Sequence, residues 1–473
     1  MPPTRSAPLP LPFLLVLVLL AIAAPAAALD DETTATPTPS ADAEPSVTGG
    51  AAEQHRAQEE SSLEETAAPD ERDSHAFNVR IYWERGLNYR FRQRVRLGGV
   101  VTESTFFEEN ATLNGRIGLK LGVDVAGYLP RGSVPHLGTR FDLRRALVYT
   151  TGEFRFLVPI LFKVDLGGVG DELYVSDVYL WAQDVPYVGT IKFGQFDAPM
   201  SLEDLTGSTN ETFMEYGSPV EAFAPGLKIG LQIADHTSDG RATWAVGYFT
   251  DGQEVDVGDA SVSVARVTGR ATWLAVQPRT AADTLIHLGI SGSYVLSSRD
   301  RIRYKSRPES YLAQDLVDTG DLDTNNAFPL GIEFAAKRGP VTLQFEYMAS
   351  KLDTRDFGNA YLDGAYGSVS WFLTGEQRPY NASVAEMGAL VPRQDFSPFA
   401  HTWGAWEIAG RTSWLDLSDG QIRGGRMVIF TAGVNWYWNR YVRILLNANL
   451  AHTYDGPNNG ELGILQSRFQ LAF

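Results

Sequence analysis

Residues 88–97 read NYRFRQRVRL, with Arg90, Arg92, Arg94 and Arg96 at strict two-residue spacing. On a helix, four guanidinium groups so spaced scatter round the axis; on a strand they project from one side. The other side carries Tyr89, Phe91, Val95 and Leu97, with Gln93 the one polar residue. A second column, SSRDRIRYKSRPES at 297–310, sets Arg299, Arg301, Arg303, Lys305 and Arg307 at the same period. Neighbouring cations on such a ladder lie about 6.6–7 Å apart. Each pair repels by about 0.6 kcal/mol in water and about 2.4 kcal/mol at an effective dielectric of about 20. A bound or permeating anion relieves that repulsion, so the chemistry suggested is anion attraction and passage, and forked guanidinium donors match phosphate oxygens. The plainer alternative is that the columns are solvated strand ends, or hold lipopolysaccharide phosphates.

Nothing beside them points to covalent or metal chemistry. The seven histidines, at 55, 75, 136, 236, 287, 401 and 452, are scattered, and no H-x-x-E-H, G-x-S-x-G or metal-ligand cluster occurs. His287 alternates with Leu285 on an expected strand, where it packs or faces an interior. The expectation is a protein that is not an enzyme and needs no cofactor or metal. A nucleic-acid role is disfavoured, because the chain as a whole is acidic and has no basic-aromatic module.

The elements that must carry the columns follow from the rest of the chain. It has 473 residues, no cysteine, 45 glycines and a net charge of −17. The run PLPFLLVLVLLAIAAPAAA (10–28), behind Arg5 and ending in an Ala26-Ala27-Ala28 cleavage pattern, reads as a signal peptide over 1–28. Residues 29–75 hold thirteen Asp/Glu against two Arg, so −11 of the total charge belongs to this segment. With few apolar residues it is expected to be a disordered acidic linker. From residue 76 to 473, segments of about ten residues alternate apolar and polar positions between Gly, Asp, Asn, Pro and Ser clusters. LNGRIGLKLGVDVAGYL (113–129), FRFLVPILFKVDLGG (154–168), VTLQFEYMAS (341–350) and RMVIFTAGVNWYWN (426–439) show the pattern, and no stretch has a helical period. The fold class is all-β.

Alternation alone does not separate a soluble sandwich from a transmembrane barrel. Three features favour the barrel. The strands approach the length a tilted membrane strand needs. Aromatics such as Trp403, Trp406, Trp436, Tyr437, Trp438 and Tyr441 gather near strand ends, as an interfacial girdle requires. The chain ends LQSRFQLAF, with Leu465, Phe469, Leu471 and Phe473 on one face and Gln466, Arg468 and Gln470 on the other. About 400 residues in units of roughly 25 give about sixteen antiparallel strands around an aqueous lumen.

Particular segments then resemble one family. FGQFDAPMSLEDLTGSTNETFMEYGSPVEAFAPGLKIGL (193–231), the SRPES after the second column, WFLTGEQRPY (371–380), GAWEIAGRTSWLDL (404–417), GVNWYWNRYVRILLN (433–447) and the final SRFQLAF resemble the phosphate-selective porin O and P family. The resemblance implies a trimeric, sixteen-stranded outer-membrane barrel in a Gram-negative bacterium, assembled by the barrel assembly machinery among outer-membrane lipid and lipopolysaccharide. It implies inorganic phosphate or other small anions as substrate, and segment 197–226 as a constriction loop. By motif, Arg301, Arg303 and Arg307, with Lys305, match the family's ladder, and Arg144 and Arg145 in FDLRRALVY match its constriction pair. Strict alternation lets only one of that pair face the lumen unless a bulge or strand end intervenes. The loop closes on PGLK, with Lys228 retained and Leu227 where a basic residue is expected. The expected function is a passive anion channel selective for phosphate or related oxyanions; the alternative is a general-diffusion porin with weak anion preference.

Overall fold

The computed structural model describes residues 77–83, 87–97, 107–155, 159–169, 172–250, 264–278, 284–297 and 301–473. The expected signal peptide, the acidic segment 29–75 and Arg299 lie outside the described residues. For Arg92, Arg94, Arg96 and Arg301 the strand placement alone is described.

The chain begins with β1 (Phe77–Trp83), β2 (Leu87–Leu97), β3 (Phe107–Gly132), β4 (Arg140–Arg155), β5 (Pro159–Val169), β6 (Glu172–Val185) and β7 (Gly189–Asp197). A long loop with two short helices, α1 (Leu202–Leu205) and α2 (Ser218–Phe223), leads to β8 (Leu227–His236). Then come β9 (Ala242–Thr250), β10 (Val264–Val276) and β11 (Leu285–Ser297). The two-residue pieces β12 (Arg301–Ile302), β13 (Lys305–Ser306) and β14 (Val317–Asp318) lie in the next loop. They precede β15 (Leu322–Arg338), β16 (Val341–Thr354) and β17 (Gly358–Phe372). Two further short pieces, β18 (Tyr380–Asn381) and β19 (Glu386–Met387), come before β20 (Ala405–Asp419), β21 (Ile422–Tyr437), β22 (Val442–Tyr454) and β23 (Gly460–Ala472).

Among the described residues, sixteen strands close into one antiparallel ring: β3 to β11, β15 to β17, and β20 to β23. Each pairs with its neighbour in sequence order, and β23 returns to β3 from Gly460↔Gly132 to Ala472↔Lys120. The register explains the alternation. On β23, Leu465 is 68% exposed on the outer face while Gln466 and Arg468 are buried inside. On β16, Val341, Leu343 and Phe345 point outward and Thr342 and Glu346 inward. A wall that is apolar outside and polar within is the patterning of a lipid-spanning barrel and the reverse of a soluble sandwich. At the rim holding the C-terminus, Trp406 stacks on Trp436 with centroids 5.0 Å apart, and Trp403 stands exposed beside them. Tyr437 is a correction to the expected girdle. It faces inward and donates to Glu407 at 2.9 Å, because parity sends it to the face opposite Trp436 and Trp438.

Two expected strands are also redrawn. Segment 154–168 is a hairpin rather than one strand: β4 ends at Arg155, β5 starts at Pro159, and Phe154 faces Ile160 across it. Proline, lacking an N–H, is confined to such a first position. The second cation column is no wall strand either; it belongs to the loop between β11 and β15.

Three loops fold into the ring. Residues 198–226 and 301–321 enter from one rim, and 373–404 enter from the C-terminal rim. Met200, Val220 and Phe223 of the first and Tyr304, Leu312 and Leu316 of the second bury against Leu352, Tyr366, Leu415 and Ile429 of the wall. Buried ion pairs fasten them. Glu309 accepts from Arg411 at 2.6 Å and from Thr431 and Ser413. Glu333 joins Arg270 at 2.7 Å and His287 at 3.2 Å, and Tyr380 meets the other His287 nitrogen at 2.8 Å. His287 thus packs inside the wall, as its parity required.

Candidate functional site

The site is built where loop 198–226 meets β3, β4 and β23. Glu346 on β16 accepts from the N–H groups of Leu202 and Glu203 at 3.0 and 2.9 Å, fixing the start of α1. Gly217 donates to Glu203 at 2.9 Å, and Pro219 opens α2, a position where its missing N–H costs nothing. The stretch between the helices, 207–216, is thereby pressed onto the inner wall.

Opposite it lie Arg144 and Arg145. The β3–β4 register slips between Gly122↔Arg145 and Asp124↔Asp142, so β4 carries one residue more than β3 there. This bulge lets consecutive arginines both reach the interior, the exception that strict alternation needed. Arg144 meets Glu215 at 3.2 Å, and its guanidinium lies 4.0 Å from the centre of the Tyr311 ring. Arg145 donates to the Ser208 hydroxyl. Arg468, on the inner face of β23, holds Asp124 through two 2.7 Å bonds and shares Glu215 at 2.6 Å. Arg144, Arg145 and Arg468, with Lys120, Thr209 and Gln470, line one narrow cavity.

The waist is electrostatically uneven. Burial opposes ionisation of Glu215, but Arg144 and Arg468 outweigh it and hold its carboxyl down at about 2. Burial pushes Glu211 well above the usual carboxylate range, Glu203 and Glu215 push it further, and Arg145 and Arg468 offset this only in part. Among the described residues, no carboxylate lies within ion-pair distance of Arg145.

Toward the rim where residues 301–321 enter, a cavity of about 470 Å³ is lined by Glu221, Lys305, Arg307 and Asp315. Period two survives locally here: Arg303 and Lys305 are exposed, while Tyr304, Ser306 and Pro308 are buried between them. The repulsion expected along the column is relieved by carboxylates of the chain itself. Arg303 pairs with Asp318, Lys305 with Asp315 at 2.8 Å and Arg307 with Glu221 at 2.6 Å. Arg307 lies 5.2 Å from the Tyr311 ring, so that ring sits between Arg307 and Arg144 and links mouth to waist.

Toward the C-terminal rim a second cavity, of about 360 Å³, is lined by Arg116, Lys120, Arg378, Arg440 and Arg443, with Tyr149, Tyr437 and Tyr441. Arg443 is 4% exposed and donates to the carbonyls of Glu211 and Thr212, yet its Nε has no hydrogen-bond partner, nor does the Nε of Arg116. Lys120 pairs with Asp165 at 3.2 Å and Arg378 with Glu407 at 2.7 Å, whereas Arg443 is held by carbonyls and lies 4.7 Å from the Tyr437 ring.

The first column lies elsewhere than expected. β23 ends against Lys120, and β2 takes over the same edge of β3 from Ile117 to Phe107, with β1 beyond it. Arg90, Arg92, Arg94 and Arg96 therefore stand past the closure of the ring, because only β2 continues that edge. Lys228, second residue of β8 and opposite Phe196, is not among the residues lining the three cavities. Sequence reading missed Tyr311, Glu215, Glu221, Arg440 and Arg443. Arg116, Lys120 and Arg468 did fall on the polar parity, which was the available signal.

Comparison with known proteins follows this geometry. The profile of the family described as phosphate-selective porin O and P matches residues 116–473. An uncharacterized protein of Caulobacter vibrioides is 25% identical over 387 residues, 76% of this chain and 73% of its own length. Porin O of Pseudomonas aeruginosa is 26% identical over 312 residues, 56% of this chain and 66% of its own. Among solved structures, a loop-deletion mutant of OmpT, an outer-membrane protein of Vibrio cholerae, matches with a TM-score of 0.48 at 9% identity, over 76% of this chain and 99% of that one.

Proposed function

The chain belongs to the phosphate-selective porin O and P family, and on that premise we propose that its lumen conducts small oxyanions, inorganic phosphate foremost, by passive diffusion. The route runs from Lys305 and Arg307, past Tyr311, through Arg144, Arg145 and Arg468, to the cavity of Arg116, Lys120, Arg440 and Arg443. Paired cations at the mouth attract without trapping, since each already holds a carboxylate. The observation that carries the reading is Arg145: a cation lining the small cavity between loop and wall, bonded to a hydroxyl and, among the described residues, to no acid. A multivalent anion can shed part of its hydration there against forked donors, and binding stays weak enough for release toward the next cations.

Arg303 and Arg307 are assigned the attracting role that their motif suggested; Arg299 lies outside the described residues and is assigned no step. Lys228 is assigned no step. The proposal includes a homotrimer in the outer membrane, with lipopolysaccharide and lipid around the apolar belt and assembly directed by the C-terminal strand ending at Phe473.

Planar-bilayer recording tests it. The zero-current potential in a KCl gradient should show anion preference, and added phosphate should block chloride current. Cation preference overturns the proposal. Chloride current indifferent to phosphate supports the general-diffusion alternative instead.

A further inference from the structure

The connection between β17 and β20, residues 373–404, starts inside the ring and finishes outside it. Its inner end is clasped: Arg378 pairs with Glu407 at 2.7 Å, and Met387 packs with Leu202 and Ala335. Its outer end is a small finger at the C-terminal rim. Ser397 and Thr402 exchange two backbone bonds of 3.1 Å, which close the tip, residues 398–401. His401 turns that tip with φ 54°, and Gly404 leads into β20 with φ 67°, where a Cβ would meet the Tyr437 carbonyl at 2.2 Å. The finger is mounted on the outward rings of the rim. Phe396 donates its N–H to the Trp438 carbonyl at 2.6 Å and sets its ring T-shaped to Trp436, with centroids 5.0 Å apart. The indoles of Trp406 and Trp436 both donate to the Trp403 carbonyl, at 3.2 and 2.8 Å.

In an interfacial girdle the indole N–H reaches water or headgroups. Here both are spent on the finger, which thereby becomes the outermost apolar element of the rim. Phe399 is 95% exposed and Trp403 67%, and the stretch FSPFAHTWGAW (396–406) carries no acid, lysine or arginine. A hairpin held this firmly gains nothing in water from presenting phenylalanine at its tip. We propose that the finger docks in the interfacial layer of the bilayer, with Phe399 and Trp403 among phospholipid headgroups and upper acyl chains. Loop 373–404 is then held by protein within the lumen and by lipid outside it. Three observations name the occupant. The finger is continuous with the lipid-facing wall through Trp406 and Trp436. Its uncharged, aromatic composition is that of a membrane interface. And so narrow a tip lacks the area that a stable protein contact needs. The inference rests on the barrel's place in a membrane and on no property of the conducted ion.

The chain has no cysteine, so a single label can be placed. In the full-length chain, Ala400→Cys carries a polarity-sensitive fluorophore at the tip. Ser238→Cys, in the exposed polar turn between β8 and β9, carries it as a control. Both sites lie at the same rim, so orientation in a vesicle does not bias the comparison. In vesicles of phosphatidylethanolamine and phosphatidylglycerol, the label at 400 should emit to the blue of the label at 238, and aqueous iodide should quench it about threefold less. Lipids bearing a nitroxide near the headgroup should quench the label at 400 and spare that at 238. Adding Phe399→Asp should bring iodide quenching at 400 up to the control, since Phe399 rather than the dye holds the tip in lipid. Heat-modifiable gel mobility checks that each variant folds. Equal quenching at the two sites, shielding that survives Phe399→Asp, or disulfides formed between unlabelled Ala400→Cys chains would overturn the inference, the last by giving the tip to a second copy.

Discussion

The cations at the mouth of this barrel all hold carboxylates, whereas the waist sets Arg145, which holds none, beside Arg144 and Arg468, which share Glu215. At the mouth, Arg303, Lys305 and Arg307 each meet a carboxylate. At the waist Arg145 meets a hydroxyl, and below it Arg443 meets carbonyls and a ring. A paired cation holds a loop in place and attracts weakly; an unpaired one leaves donors for a passing anion. The buried clasps Arg411–Glu309 and Arg270–Glu333 are the extreme of the first kind, because their charges are satisfied wholly within the protein. Replacing a paired cation should therefore cost structure, and replacing an unpaired one should cost conduction.

The largest effect is expected at a clasp. Arg411→Ala strands Glu309 and Glu203 in the interior, and losing one partner of a buried pair costs about 3–5 kcal/mol. Denaturant melts in detergent should show a loss of that order, and an unchanged melt would remove the distinction drawn here. Next comes the waist. Arg145→Gln should raise the phosphate concentration for half-block about tenfold, or ~1.4 kcal/mol, with the melt unmoved. A destabilised fold with intact block would reverse the assignment.

Acid at the waist supplies a smaller, pH-dependent effect. With its folded pKa raised, Glu211 is protonated over a wider range in the channel than in the unfolded chain. As pH rises through that raised value the carboxyl ionises near Arg145, so block by sulfate, which does not titrate there, should weaken. Glu211→Gln should flatten the profile. Glu215 behaves oppositely: held down to about 2, it stays ionised as pH falls, and its stabilising pairs are lost only between its unfolded value and about 2. A wild-type profile already flat would contradict the role given to Glu211. The smallest effect belongs to the mouth. Lys305→Gln removes one exposed pair worth about 0–1 kcal/mol and should slow anion capture by less than about twofold, only at low salt.

Much of the wall was legible because period two is enforced by lipid on one side and polar interior on the other. The parity of Leu465, Phe469, Gln466 and Arg468 held residue for residue. Legibility ended where the chain left the wall. The described part of the second column, 303–307, has strand parity but lies in a loop, since its partners Glu221, Asp315 and Asp318 come from inward-folded segments that no local pattern announces. The paired strands β4 and β5, which meet at Phe154 and Ile160, share one apolar parity in the sequence and so read as one strand. The Arg90 column shows another limit: β2 is a strand as its period implied, but which strand continues an edge beyond ring closure is a property of the whole sheet. Arg144 and Arg145 were identified through resemblance, and it took the bulge opposite Gly122 to show how both reach the interior.

The most direct test of the account is the zero-current potential of the purified barrel in a KCl gradient, measured for wild type and Arg145→Gln. The account predicts anion preference in the wild type and a marked loss of it in the variant. Equal selectivity in the two proteins, or a preference for potassium in the wild type, would contradict it.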